Sequence, residues 1–326
     1  MPQHPFAIVC DSTCDLPPEI ISRLEVVCVP LSVEAGGKTY CDDADREAGL
    51  ASLRRSHASA RILRPGAEEF LAVYRRLMAE GYTNIATVCS SLPRTGTWAT
   101  AEEAIAQIDI SGALRLRTVD TGVVSVGTGI VVERLAMARE QGVEFEEAVN
   151  LARSLAHEIR MLFIPEASSG FMRDAIPRKR SRLMVRATTL RLRLAGERTL
   201  FLLSHGEWTA LARSTDLGDL CGRSAHAMSS VASSEGDLVY ALLGAPGSKA
   251  LRALEKPLDT NEFCSRRLGR GNASLAVLAS IGTDAVGVAF VPKEIYLKAG
   301  ACGPLPEGLI PGLPDGPGDT GNEPQQ

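Results

Sequence analysis

The sequence predicts an α/β protein of two domains, and both its pattern and its length indicate this class. Apolar segments that end in polar residues alternate with helix-like segments through the first half, as in a parallel sheet covered by helices. A chain of 326 residues is also long for one hydrophobic core. We expect a parallel-sheet N-terminal α/β domain over residues 1–160, a second α/β domain with a β-hairpin over 161–298, and a tail over 299–326.

The first predicted strand begins at residue 7 and ends in the polar run Asp11-Ser12-Thr13. A short helix signal follows, and the apolar run 26–33 then predicts a second buried strand. Two strands joined by one helix form a parallel βαβ unit, in which ligands bind beside the carboxyl ends of the strands. Ser12 and Thr13 are therefore candidate binding residues.

A serine-rich loop follows a later strand, NIATVC (84–89). The loop delivers hydroxyl groups and a glycine to the start of a helix, where free backbone N–H groups and the helix dipole favour an anion such as a carboxylate or a phosphate. The alternative is a capped helix whose serines and threonines serve only its first turn. The candidate residues of this loop are Ser90, Ser91, Thr95, Gly96 and Thr97.

Four other segments of the first half have structural interpretations. The acidic loop 36–47 lacks the spacing of a calcium loop and is predicted to be a solvated loop. Segment 64–82 predicts an amphipathic helix that packs on the core. The strand 114–120 ends at Asp120, so the loops at Asp11, Ser90 and Asp120 should converge on one side of the sheet. The glycines in helix 122–142 match no complete dinucleotide fingerprint and indicate close packing or room for a ligand.

In the second half, residues 200–214 predict a β-hairpin with its turn at His205-Gly206, and 238–245 and 274–291 supply further α/β elements. The basic run 173–198 is interpreted as a solvated helix face, with contact to an acidic partner, a lipid headgroup or a phosphate as the alternative. No Lys or Arg follows Lys298. The Gly- and Pro-rich tail is predicted to be disordered.

Composition limits the functional classes. A net charge of −4 provides no global attraction to nucleic acid or to anionic membranes, so at most transient membrane contact is expected. No apolar run approaches the ~20 residues of a membrane span, and the N-terminus lacks the features of a signal peptide, which predicts a cytoplasmic protein. Eight cysteines without a C-x-x-C pair predict free thiols and no metal site. No cofactor is expected.

Three stretches resemble the DegV family of bacterial fatty-acid-binding proteins: CDSTCDLPPE with VPLSVEAGGKTYCDD, then CSSLPRTGTWATAEEA, then TVDTGVVSVGTG. The resemblance covers roughly residues 5 to 290 and is more specific in the first half. It implies a two-domain DegV-like fold in which an acyl chain lies in an apolar tunnel between the domains. It also implies that hydroxyl groups hold the carboxylate, with an Arg and a His nearby, and that the protein presents the acyl chain to a separate fatty acid kinase.

The chain departs from the family pattern at several site positions. The serine loop has one additional residue between Ser91 and Thr95, Ile62 stands where the family has a threonine, and Ser280 stands where it has a histidine. The resemblance places Ile62 and Ser280 at the lipid site nonetheless. The family's arginine has three candidate counterparts, namely Arg178, Arg180 and Arg182. We expect a divergent fatty-acid or lipid binder.

Two alternatives belong to other classes. One is a serine-dependent hydrolase with Ser90 or Ser91 as nucleophile and Asp11 or Asp120 supporting a base, although no histidine stands in a recognisable catalytic motif. The other is an interaction protein that keeps the fold and has lost lipid binding. The sequence favours a binding protein that is not an enzyme.

Overall fold

The computed structural model describes residues 2–42, 44–56, 60–109, 112–174, 196–245, 247–260 and 263–299. Within these ranges the chain forms a four-stranded sheet, a three-stranded sheet and a six-stranded sheet, with helices packed on them. The predicted α/β class is confirmed. The candidates Arg178, Arg180 and Arg182 lie outside the described residues, as does the predicted tail beyond residue 299.

The strands, in chain order, are β1 (Ala7–Asp11), β2 (Val27–Val29), β3 (Ser32–Ala35), β4 (Lys38–Cys41), β5 (Arg61–Leu63), β6 (Asn84–Cys89), β7 (Arg115–Asp120), β8 (Arg160–Ile164), β9 (Arg198–Ser204), β10 (Glu207–Ser214), β11 (Leu238–Leu243), β12 (Ser265–Arg270) and β13 (Val286–Pro292). The α-helices are α1 (Pro18–Arg23), α2 (Arg46–Ser56), α3 (Ala67–Ala79), α4 (Trp98–Ile105), α5 (Val126–Glu140), α6 (Phe145–Glu158), α7 (Gly170–Asp174), α8 (Leu217–Glu235), α9 (Lys249–Asp259), α10 (Leu275–Ile281) and α11 (Lys293–Lys298). A 3-10 helix, Ser12–Cys14, follows β1 directly.

The four-stranded sheet is entirely parallel, in the order β2-β1-β6-β7. Its central strands are apolar on both faces because helices cover both sides. On β1, Ala7 and Val9 pack with the apolar residues of α3 and α4, whereas Ile8 and Cys10 pack with those of α5. The predicted βαβ start of the chain is confirmed.

The apolar run 26–33 is two strands, so the prediction of one strand is wrong. Strand β2 stops at Val29 and pairs with β1, whereas β3 begins at Ser32 and pairs with β4 and β5 in the three-stranded antiparallel sheet. Pro30 lies between them and has no N–H group to donate to a sheet ladder, so the chain leaves the parallel sheet there. The loop predicted over 36–47 likewise contains β4.

The six-stranded sheet is mixed, in the order β10-β9-β8-β13-β11-β12. The predicted hairpin is confirmed, since β9 and β10 pair antiparallel and turn at His205 and Gly206, which have φ values of 54° and 76°. The turn reaches the first half of the chain, because Gly206 N donates to the Gly122 carbonyl oxygen at 2.9 Å. The hairpin tip therefore touches the loop that follows β7.

Helix α5 lies between the parallel sheet and the six-stranded sheet, where it contacts β1, β6, β11 and β13. This position explains why almost every residue of the helix is buried. A Cβ atom at Gly129 would lie 2.6 Å from the Cys14 carbonyl oxygen, so the glycine permits close approach to the 3-10 helix. The predicted close packing is confirmed at this position.

The strands up to residue 159 belong to the parallel and three-stranded sheets, and those from Arg160 onward belong to the six-stranded sheet. Helix α10 crosses this division, because it packs against β3 and β5. The domain limits given above stay a prediction. None of the helices in the described ranges is long and apolar enough to cross a membrane.

Candidate functional site

The loops that follow β1, β6 and β7 lie at one edge of the parallel sheet. Cys89 stands opposite Asp120 in the sheet register, so Ser90 leaves the edge beside it. Two hydrogen bonds then join the loops: Ser91 N donates to Asp120 Oδ1 at 2.9 Å, and the Thr97 hydroxyl donates to Asp11 Oδ2. The expected convergence of the three loops is confirmed.

The serine loop, residues 90–97, folds tightly back on itself. Gly96 N donates to the Leu92 carbonyl oxygen at 2.8 Å, and Trp98 N donates to that of Ser90 at 3.1 Å. A Cβ atom at Gly96 would lie 2.5 Å from the Leu92 carbonyl oxygen, inside the van der Waals distance of the main chain. The loop therefore requires glycine at this position.

Asp11 holds the C-terminal end of the serine loop. Its carboxylate is fully buried and accepts hydrogen bonds from Thr13 N at 2.8 Å, from the Thr13 hydroxyl at 2.5 Å and from the Thr97 hydroxyl. Burial raises the pKa of Asp11 to about 6, and the hydrogen bond from Thr13 opposes that rise. Both carboxylate oxygens are engaged, which leaves Asp11 poorly placed to support a base as the hydrolase alternative requires.

The Thr97 hydroxyl does not cap α4, although Thr97 is the N-cap residue of that helix. Its hydroxyl donates to Asp11, and its oxygen accepts from neither of the first-turn amides of Ala99 and Thr100. No other side chain in the described ranges accepts from these two amides. An α-helix leaves such amides without an acceptor of its own. The interpretation of the loop as a side-chain helix cap is therefore wrong for Thr97, and the helix start is open to an anion.

Two hydroxyl groups of the loop are available to a ligand. Thr95 is 4% exposed, and its hydroxyl makes no hydrogen bond to any described residue. Ser91 is exposed, with its backbone amide fixed by Asp120. Ser90 is buried and its Oγ accepts from Leu92 N at 3.2 Å, which shapes the turn. The Thr95 oxygen is not one of the fully buried polar atoms that lack a partner, so a ligand or a water molecule can reach it.

Strand β5 is linked to this loop, and helix α10 packs against β5. Ile62 on β5 is half-buried against the main apolar core. Ser280 on α10 is 6% exposed, and its hydroxyl has no hydrogen-bond partner among the described residues. Because α10 packs against β5, the two divergent positions lie on neighbouring elements. The end of β5 is joined to the serine loop by Arg64, whose Nη1 donates to the Gly96 carbonyl oxygen at 3.1 Å.

Ser12 and Thr13 use their hydroxyl protons within the protein. The Ser12 hydroxyl donates to Asp42 Oδ2 at 2.7 Å and accepts from Leu31 N at 3.0 Å. Thr13 donates to Asp11, as described above. Their part in ligand binding stays a prediction, and their geometry shows a structural role in holding the loop after β1.

The structure contains a second polar cluster, at the N-terminus of α10, that the sequence did not predict. Asp15 and Asp42 are both buried at the N-terminus of α10, where Asp15 Oδ1 accepts from Ser274 N at 2.8 Å and Asp42 Oδ1 accepts from Leu275 N. Burial raises the pKa of Asp42 to about 6 and also raises that of Asp15. The Ser125 hydroxyl donates to Asp15 Oδ2. The prediction of a solvated loop over 36–47 is therefore wrong at Asp42. The only sequence signal for its helix-capping role is the density of aspartates in that loop.

Neither aspartate cluster forms a cation site in the described part of the chain, where no group of three or more potential ligands is arranged around a metal position. A surface cleft of about 630 Å³ lies between α6 and α11, and its lining includes Arg153, His157 and Lys298. None of the predicted site residues lines this cleft. The serine loop presents hydroxyl and amide donors, which are groups suited to binding an anion.

These features define an α/β protein with a parallel sheet, a mixed sheet and a hydroxyl-rich loop at a strand end. The sequence profile of the family described as "Uncharacterised protein, DegV family" matches residues 5–174, more than half of the chain. The chain belongs to the DegV family.

Curated relatives carry the same family designation. The chain is 32% identical over 145 residues to a DegV domain-containing protein of Clostridium acetobutylicum, covering 44% of this chain and 50% of that protein. It is 29% identical over 157 residues to one of Streptomyces coelicolor, covering 48% and 54%. These matches thus span about half the length of the curated relatives.

Solved structures share the fold over most of the chain. A DegV family protein of Thermus thermophilus, described for its fatty acid binding, superposes with a TM-score of 0.74 at 21% identity and covers 88% of this chain and 99% of its own. A stearic-acid-binding protein of Eubacterium ventriosum superposes with a TM-score of 0.71 at 18% identity, covering 88% and 98%. At these identities the likeness shows the fold.

Proposed function

We propose that this protein binds a long-chain fatty acid or a related lipid, with the carboxylate held at the serine loop and the acyl chain in an apolar tunnel between the two domains. The observation that carries the proposal is the open start of α4, where the Thr97 hydroxyl donates to Asp11 and caps no helix amide, and where the Thr95 hydroxyl makes no hydrogen bond to a described residue. A carboxylate satisfies both the unpaired amides and the hydroxyl.

The elements that pack next to β5 provide apolar side chains against which an acyl chain could lie. All seven residues of α10 are buried, and six of them are apolar. Helix α7, which packs against α10, contributes Phe171 to an aromatic cluster with Phe163, Phe201 and Trp208. Each buried methylene of a ligand contributes ~0.8 kcal/mol. An apolar chain can therefore provide most of the affinity while the loop selects the head.

Two polar residues that the family pattern places at the carboxylate-binding site are replaced in this chain. Ile62 and Ser280 replace a threonine and a histidine of the family pattern, and a charge-assisted hydrogen bond contributes roughly 1.5–3 kcal/mol. The serine loop then carries a larger share of carboxylate binding than the family pattern implies. The fatty-acid binding named for the related structures of Thermus thermophilus and Eubacterium ventriosum supports the ligand class.

We further propose that the protein acts in the cytoplasm without a cofactor, as a non-enzymatic acyl carrier for a separate fatty acid kinase. A carrier needs a site that binds and releases an intact lipid. Asp11 supports this assignment over a hydrolase, because both of its carboxylate oxygens are engaged by Thr13 and Thr97.

Mass spectrometry of lipid extracted from the purified full-length protein tests the proposed function. We expect a fatty acid at close to one molecule per chain, and re-binding of added fatty acid after delipidation. A protein that is purified without lipid and does not bind added fatty acid would instead support the interaction-protein alternative. Pull-down of a co-expressed fatty acid kinase, with and without bound lipid, tests the carrier role separately.

A further inference from the structure

Arg64 is exposed beside the serine loop and has no acidic partner among the described residues. It follows β5 directly, and its hydrogen bond within the described ranges runs from Nη1 to the Gly96 carbonyl oxygen at 3.1 Å. No ion pair within the described ranges includes it. Arg61, at the start of the same strand, shows the contrast, because it pairs with Glu34 at 3.6 Å. Arg64 is therefore a cation held next to the loop with its charge unneutralised.

The bond to Gly96 places the Arg64 guanidinium next to a second donor of the loop. Gly96 is the neighbour of Thr95, whose hydroxyl makes no hydrogen bond within the described part of the chain and is accessible to a ligand. A guanidinium has five N–H donors in one plane, so the bond to Gly96 leaves four. The carbonyl bond fixes the orientation of the group and reduces the side-chain freedom lost on binding a ligand.

We propose that Arg64 is a headgroup-binding residue, which pairs with the carboxylate that the Thr95 hydroxyl also contacts and makes the site select a fatty carboxylate over a neutral lipid of the same chain length. This inference rests on the proposed function, because it concerns the same ligand. It also bears on the divergent Ile62, which cannot offer the hydroxyl of the family's threonine to the headgroup. Arg64, two residues later, would replace that lost contact.

The test compares hexadecanoate with hexadecanol, which has the same number of carbon atoms and no charge. Dissociation constants are measured by displacement of a fluorescent fatty acid from the full-length protein, from Arg64→Gln and from Arg61→Gln. We expect the parent to bind hexadecanoate at least about tenfold more tightly than hexadecanol, since charge-assisted hydrogen bonds are roughly twice as strong as neutral ones. Arg64→Gln should lose about tenfold for the acid and change less than about twofold for the alcohol.

Arg61→Gln is the matched control, because it removes the same charge from the same strand at a side chain already paired with Glu34. It should behave as the parent. Raising the salt concentration should weaken acid binding to the parent and leave Arg64→Gln nearly unaffected, because exposed charges are screened. Arg64→Lys should keep part of the acid preference.

The outcomes separate this inference from the proposed function. If the parent binds both ligands and Arg64→Gln keeps the full preference for the acid, Arg64 is not a headgroup residue, although the protein is still a lipid binder. If the parent binds acid and alcohol equally, the inference is likewise overturned. If the parent binds neither ligand, the proposed function itself fails.

Discussion

The N-termini of α4 and α10 both begin at a hydroxyl residue but are satisfied in different ways. At α10, Ser274 caps its own helix by accepting from Val277 N at 3.3 Å. Asp15 accepts from the amide of Ser274, and Asp42 accepts from the amide of Leu275. Every one of these polar groups is used within the protein, so this cluster serves the fold.

At α4 the corresponding donors remain open. The Thr97 hydroxyl donates to Asp11 and its oxygen accepts from no amide of its own helix, and the Thr95 hydroxyl makes no hydrogen bond to a described residue. The difference teaches that residue type alone does not separate a cap from a binding site. What separates them is whether the protein itself supplies the acceptor.

The largest effect is expected from Asp15→Ala at the satisfied helix start. Removing this carboxylate leaves Ser274 N and the Ser125 hydroxyl unpaired in the core, which should lower the free energy of unfolding by about 2–4 kcal/mol. Chemical denaturation measures it, with the exposed Asp219→Ala as control. A stability equal to that of the parent would show that the α10 cluster does not hold the fold.

At the open helix start, the effect should fall on binding instead. Replacing Ser90 and Ser91 together by alanine should cost ~2–4 kcal/mol of fatty-acid affinity, and loss of the Ser90–Leu92 hydrogen bond should lower the free energy of unfolding by only about 0.5–1.5 kcal/mol. The exposed adjacent pair Ser233→Ala and Ser234→Ala provides a matched control. If the Ser90 and Ser91 variant binds fatty acid as tightly as the parent in a displacement assay, the serine loop serves only the fold.

The free energy of unfolding should depend on pH because Asp42 titrates at a higher pH in the folded protein than in the unfolded chain. Its folded-state pKa is raised to about 6 from 3.8, so the folded protein holds the proton more tightly than the unfolded chain does. The stabilisation of the folded state by protonated Asp42 is therefore fully present below about pH 4. It is lost as the pH rises towards 6 and beyond, and its size is roughly 1–3 kcal/mol. Asp42→Asn should reduce this slope in denaturation series between these pH values. An unchanged slope would contradict the assignment.

The smallest effect is expected at Ile62. Ile62→Thr restores the hydroxyl of the family pattern and should tighten fatty-acid binding by ~0.5–1.5 kcal/mol, the contribution of one hydrogen bond. Ile62→Val serves as control, because it is β-branched like threonine and has no hydroxyl. Equal affinities of the two variants would show that this side chain does not reach the headgroup.

Local pattern was sufficient for the strand-end loops at Asp11, Ser90 and Asp120 and for the hairpin, because each depends on a few consecutive residues. The α10 cluster could not be predicted, because Asp15 and Ser274 are 259 residues apart in the chain and meet only through tertiary packing. The absence of a side-chain cap on α4 could not be predicted either. It depends on the orientation of the Thr97 hydroxyl, which donates to a buried carboxylate on another strand.

The central claim is that the carboxylate of a fatty acid binds at the open start of α4. A crystal structure of the protein with hexadecanoate tests it directly. The account predicts the carboxylate within hydrogen-bond distance of the Thr95 hydroxyl and of an α4 first-turn amide, with the α10 cluster unchanged. A headgroup bound elsewhere, for example in the cleft between α6 and α11, would contradict it.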